Sequence, residues 1–461
     1  MIESAYESFL ASKAANAPLR GLRDVPKLSS HLFPFQRAAV EFNLRAGGSG
    51  LFLDTGLGKM ICEHEYLEHA RNATNGWAIL LAPLAVTQQL HREGQRFGYQ
   101  TRVIRDQSEA GEGINIANYD RLHLLDPAAY GAAALDESSI IKSFAGKTTR
   151  ALIDAFEGHQ FKLSATATPA PNDHMELGQH SEFCGIMAGN EMLSRFFIND
   201  TSTASQEWRL KRHAVQPFWD WMASWSRMAQ MPSDLGDSDK GFLLKPMHIM
   251  RHRAQEGAPV TSGGLFGDAV STTTMHQIKR QTADARAKAA AALVTADDEP
   301  WVIWVDTDYE ADAVHEALHG TPCVAEVRGS MTTDHKERGI VGFSDGSVRV
   351  LITKSSICGF GLNWQHCART CFVGRTFSYE SWYQAVRRFW RFGQKRIVEV
   401  HLIVAEGEDQ ISRVIDRKAA DHTGMKAAMR LAMQRDQGQE SRVKIAYNPK
   451  ATGALPSWLN A

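Results

Sequence analysis

Cysteine is scarce in this chain, six residues in 461, and none forms a C-x-x-C pair. The tightest spacing, Cys367-x3-Cys371 beside His366, is not that of a structural zinc site, so reduced buried thiols are the expectation. An excess of either charge is also missing, since 51 Lys and Arg oppose 52 Asp and Glu for a formal net of -1. Taken over the whole chain, that balance argues against nucleic acid as a partner. No apolar run reaches the ~18 residues of a membrane span. The opening stretch MIESAYESFLASKAANAPLR has no apolar core behind a basic start, so no secretory leader is expected. These absences point to a cytoplasmic protein with no membrane partner. Repeats of fixed period and low-complexity tracts are absent as well. What remains is ordinary: 43% hydrophobic and 22% charged residues exclude a disordered chain, a collagen-like fibre and a coiled-coil rod. At about 150 residues per domain, the length allows two or three domains.

From His31 to about Pro171, short apolar runs alternate with helical patterns. Strands are expected at 50–53, 77–82, 114–117, 132–135 and 161–164, with helices such as 60–70 and 84–97 between them. Near-continuous apolarity marks strands covered by helices on both faces of a parallel sheet. Residues 174–280 break the rhythm, and from about Thr282 it resumes with strands at 301–305, 323–327, 349–353, 370–373 and 398–404. The expected class is α/β, with five segments: an N-terminal extension (1–30), a first lobe (31–173), a helical and loop insert (174–280), a second lobe (281–424) and a basic tail (425–461).

Two features carry chemistry. Leu51-Phe-Leu-Asp-Thr-Gly-Leu-Gly-Lys-Met60 runs from an apolar strand through a glycine turn into a helix. Gly56 and Gly58 let backbone N–H groups converge on phosphate oxygens, with Lys59 reaching the terminal phosphates. A plain turn that starts a helix is the alternative. Met60 stands where a Ser or Thr hydroxyl would coordinate Mg²⁺, and a thioether cannot serve that hard cation. Asp136-Glu137 closes a small apolar strand, where the first acid can hold Mg²⁺ through water and the second can orient an attacking water. An acidic helix cap is the alternative there.

Together these features resemble the DExx-box helicases and translocases of superfamily two, in the Swi/Snf-like branch, nearest to members carried by phages. The resemblance runs from about residue 32 to about 404. It implies two RecA-like lobes with ATP and Mg²⁺ between them. The nucleotide side would comprise Gln36 at the adenine edge, Thr55, Gly56, Leu57, Gly58, Lys59 and Met60, with Asp136 as the metal-binding acid and Glu137 beside it. From the second lobe, Leu351–Asn363 resembles the strand-to-loop motif with Gly361 and Asn363, and Gln384–Gln394 resembles the arginine-finger motif with Gln384, Arg388 and Arg391. Pro83, Asn118, Tyr119, Lys142, Thr166 (within Ser164–Pro169) and Thr353 match motifs that contact nucleic acid or couple it to hydrolysis. Arg387 is a further candidate for the nucleic-acid backbone. The implied activity is that of a nucleic-acid-stimulated ATPase, a DNA helicase or duplex translocase acting on double-stranded DNA. A non-hydrolysing DNA clamp, or the motor subunit of a restriction, replication or repair assembly with a phage or nuclease partner, is the competing reading.

Trp208, Phe218, Trp219, Trp221 and Trp225 open the insert. The helical spacing of Phe218, Trp221, Met222 and Trp225 favours inward packing over an exposed base-stacking platform. Arg209, Lys211, Arg212, Arg251 and Arg253 contact phosphates or form a solvated face. Net charge averages the whole surface, so the arginines at 387, 388, 391 and 396 can supply a local basic track despite the balance.

Overall fold

The computed structural model describes residues 16–200, 207–254, 277, 279–358, 363–376, 378–405 and 409–437. Gly361 lies outside them. The first lobe is built on β1 (Gly48–Leu53), β2 (Trp77–Ala82), β3 (Thr101–Val103), β4 (Gly113–Asn118), β5 (Ala132–Asp136) and β6 (Phe161–Ala165), with β9 (Ser226–Ala229) added at one edge. Their order is β3-β4-β2-β5-β6-β1-β9, and every pair is parallel. All residues of β1, β5 and β6 are buried, as continuous apolar strands must be when helices cover both faces. Those helices include α1 (Pro34–Ala46), α2 (Lys59–Asn72) and α3 (Leu84–Arg96).

The second lobe repeats the plan with β10 (Met247–Arg253), β11 (Trp301–Val305), β12 (Val324–Val327), β13 (Val350–Lys354), β14 (Arg369–Phe372) and β15 (Val398–Val404). Again all pairs are parallel, in the order β10-β15-β14-β11-β13-β12. The two RecA-like lobes expected from the sequence are thus present, and the strands at 77–82, 301–305 and 398–404 have the expected bounds.

Residues 174–280 do hold helices, among them α4 (Val215–Trp225), but they also extend both sheets. β9 pairs with β1 in the first lobe and β10 with β15 in the second. The aromatic residues of α4 face inward: Phe218, Trp221 and Trp225 are at most 1% exposed and join the first lobe's core. Between α4 and the preceding helices, an antiparallel hairpin is formed by β7 (Phe197–Asp200) and β8 (Glu207–Leu210).

Two late helices matter for the cleft. α5 (Tyr379–Val386) belongs to the second lobe, and α6 (Asp409–Gln437) follows β15. Met425, Met429, Ala432 and Met433 of α6 are buried in the first lobe's core, while Arg435 and Asp436 pair with Asp220 and Arg227 of that lobe. α6 therefore leaves the second lobe and crosses back to the first, running unbroken through the boundary placed at 424–425. None of the described helices is long and apolar enough to cross a membrane.

Candidate active site between the lobes

The turn from β1 into α2 carries the glycine-rich sequence expected to cradle phosphates. Gly56 and Gly58 have φ of 94° and 76°, left-handed values that an L side chain resists. Gly58 immediately precedes α2, so the helix N-terminus with its unpaired N–H groups opens into the space between the lobes. Gln36 braces the loop from α1: its Nε2 donates to Leu57 O at 2.8 Å, and its Oε1 accepts from Phe33 N at 2.9 Å. Pro34 in the first turn and the Gln36 side chain folding back on Phe33 N–H fix where α1 begins.

Lys59 Nζ lies 2.8 Å from Asp136 Oδ1 and 3.4 Å from Glu137 Oε1. Burial opposes the ammonium charge, but the two carboxylates overcome it and hold Lys59 above its ordinary value. Asp136 ends β5, where Tyr119 donates its hydroxyl to the Asp136 carbonyl at 2.7 Å. Glu137 has φ of 53°. A non-glycine residue held in that region stores backbone strain, here at a residue that faces the cleft. Burial pushes the Glu137 carboxyl above the usual carboxylate range, with Lys59 and Arg388 pulling the other way and Asp136 adding to the rise. Behind the acids, Glu63 of α2 is fully buried, and burial with Asp136 raises it well above its ordinary value. Thr166 Oγ1 reaches Glu137 Oε2 at 3.4 Å, which ties the 164–169 segment to the acid.

The second lobe closes the other side. A cleft of about 390 Å³ is lined by Gln36, Thr55, Gly56, Gly58, Lys59, Met60, Asp136 and Glu137 from the first lobe. Asn363, Gln365, Arg388, Arg391 and Phe392 line it from the second. Arg388 Nε donates to Gln384 O and its Nη2 to Gln384 Oε1, both at 3.0 Å. Burial, then the neighbouring Arg391, pull the Arg388 guanidinium down to about 10. Phe33, Phe242 and Phe392 form an aromatic wall, with ring centroids 5.3 Å apart for Phe33–Phe242 and 4.8 Å for Phe242–Phe392.

Most nucleotide-side candidates therefore meet in one cleft. Leu57 and Gln384 do so indirectly, because both are buried and orient Gln36 and Arg388 respectively. The candidates for nucleic-acid contact scatter. Pro83 caps the start of α3, and Asn118 Oδ1 accepts from Asp120 N at 3.4 Å at the end of β4. Tyr119 and Thr353 are buried, and Thr353 donates to Val327 O at 3.2 Å. Arg387 is also buried, with its Nη2 2.7 Å from Asp54 Oδ2 across the cleft. Lys142 pairs with Glu380 of the second lobe. Tyr119, Thr353 and Arg387 each direct a polar group to a partner inside the protein. Asp54, Phe242 and Phe392 were missed in the sequence. Only Asp54 left a signal, as an acid at the end of an otherwise apolar strand.

Comparison with known proteins adds three findings. No curated protein matches the chain. Over 91% of this chain and 98% of the other, the fold is similar to the structure of a Sulfolobus solfataricus SWI2/SNF2 ATPase core in complex with dsDNA, at 15% identity and a TM-score of 0.41. Residues 286–393, which include Arg387, Arg388 and Arg391, match the model of the helicase conserved C-terminal domain.

Proposed function

We propose that the protein is an ATP-driven motor that acts on double-stranded DNA in the cytoplasm, hydrolysing ATP between its two lobes. The observation that carries this reading is the facing arrangement of Lys59, Asp136 and Glu137 with Arg388 and Arg391 across one cleft. The match at residues 286–393 supports it from the second lobe.

ATP phosphates would take the place of the carboxylates as the partner of Lys59 and lie against the N–H groups at Gly56–Gly58. Magnesium prefers oxygen ligands, keeps several waters and shares phosphate oxygens. Asp136 fits that requirement and Met60 does not, so the metal would be held by Asp136, and it would neutralise charge on the phosphates. Glu137, with its raised proton affinity, would take the proton of the attacking water. Arg388 and Arg391 would stabilise charge building on the γ-phosphate. Closing and reopening of the cleft would shift one lobe against the other along the duplex.

Displacement of a third strand from a triplex on linear duplex DNA tests the motor: ATP-dependent release is expected, and release that is the same without ATP contradicts it. A second reading, an ATP-binding clamp with weak hydrolysis, is favoured by Met60 alone. It predicts duplex binding that responds to ATP with no strand displacement.

A further inference from the structure

Asp54 sits at the junction of β1 and the phosphate loop and is only 3% exposed. One carboxylate oxygen accepts from Thr55 N at 2.8 Å and from the Tyr383 hydroxyl. The other accepts from Arg387 Nη2 at 2.7 Å and from Lys426 Nζ at 3.1 Å. Tyr383 lies within α5, Arg387 just beyond its end, and Lys426 on α6, so three elements converge on one buried acid. Arg387 is further clamped over the Tyr383 and Trp390 rings, at 5.1 and 4.6 Å from their centroids.

The neighbours of these groups are the arginine machinery. Arg388 follows Arg387, and Gln384, which holds the Arg388 guanidinium, follows Tyr383. A second contact lies alongside: a Cβ added at Gly56 would come within 2.8 Å of Phe392 N, so the end of the arginine segment rests directly on the phosphate loop. The lobes are thus in register at the loop, and a buried charge supports that register from beneath.

We propose that Asp54 is a positioning residue that docks the arginine-bearing segment of the second lobe onto the phosphate loop. One carboxylate faces two cations. Removing its charge leaves Arg387 and Lys426 buried against each other, and parting of the lobes relieves that repulsion. The docking rests on geometry alone, whereas its effect on turnover rests on the reading of the cleft as an ATPase site.

The test is an interlobe distance. Cys323 is exposed in the second lobe, and the other cysteines are buried, so a spin label there can be paired with one at Glu157→Cys on the exposed surface of the first. By pulsed dipolar spectroscopy without nucleotide, the labelled protein should give one narrow distribution, and Asp54→Asn a broader one shifted to longer distances. Arg387→Gln tests the same contact from the other lobe and serves if Asp54→Asn does not fold. In ATPase assays Asp54→Asn should lower kcat at least tenfold with KM within threefold. Superimposable distributions for the parent and both variants overturn the docking. If the variants open the cleft while the parent protein hydrolyses no ATP, the docking stands and the proposed function falls. If ATP is hydrolysed and no variant opens the cleft, only the docking falls.

Discussion

Lys59 Nζ and Asp136 Oδ1 are 2.8 Å apart, with Glu137 Oε1 at 3.4 Å. The phosphate-loop cation is parked on the acids beside which it would work. On the proposed reading, an incoming polyanion that draws Lys59 away would also free Asp136 to face a metal and Glu137 to face a water, so that nucleotide binding and arming of the acids would be a single exchange of partners.

Replacing Glu137 by Gln keeps its shape and removes the proposed base. Hydrolysis should fall by roughly 10²–10⁴-fold, while titration with a fluorescent ATP analogue should give an unchanged Kd. Burial places the Glu137 carboxyl above its ordinary 4.5. The active form is the deprotonated one, so kcat of the parent protein should fall as pH drops through that raised value, earlier than an exposed glutamate would allow.

Arg388→Ala removes a guanidinium that faces both acids from the second lobe. In the proposed arginine-finger role, its loss should lower kcat by about 10³-fold or more and leave KM nearly unchanged. A steady-state rate series with Arg391→Ala checks both positions. A raised KM with kcat unchanged would instead make Arg388 a ground-state binding group.

Met60 lines the cleft where a hydroxyl would serve a metal. Met60→Thr should lower the Mg²⁺ concentration needed for half-maximal ATPase by several-fold. A magnesium titration at saturating ATP reads this directly, and an unchanged midpoint would mean that Asp136 alone suffices.

His422 on α6 is 3% exposed, and burial, then Lys426, hold its pKa down to about 3. An unfolded chain takes up that proton near pH 6.5, whereas the folded one refuses it. The stability held above pH 6.5 is therefore lost progressively as pH falls toward 3. By pH 5 about 2 kcal/mol of it is lost. Between pH 7.5 and pH 5, His422→Phe should lose less stability than the parent by about that amount, as measured by denaturant titration.

Much of this architecture was legible in the residues. Strands such as Trp77–Ala82 and Trp301–Val305 are runs whose apolarity leaves no other placement. β9 and β10 were not legible, for opposite reasons. Ser-Arg-Met-Ala at 226–229 is too short and too weakly β-forming to stand out immediately after α4, and it is held by pairing with β1. β10 mixes His and Arg with Ile and Met because it is an exposed edge paired only with β15. In the cleft, the glycines, Lys59 and the acids announce themselves because phosphate chemistry needs those types at that spacing. Asp54 and Phe392 acquire meaning only when the second lobe is set against the first. Arg387 shows the converse: it is a basic residue in a basic segment, and nothing in its local sequence indicates a buried carboxylate partner 333 positions away.

The most direct test of the central claim is the steady-state rate of ATP hydrolysis by the purified protein with and without linear duplex DNA, with Lys59→Ala as the control. Hydrolysis should rise at least tenfold with duplex, fall with added salt as phosphate contacts are screened, and disappear in Lys59→Ala. Hydrolysis that no DNA or RNA stimulates, or that survives in Lys59→Ala, would contradict it.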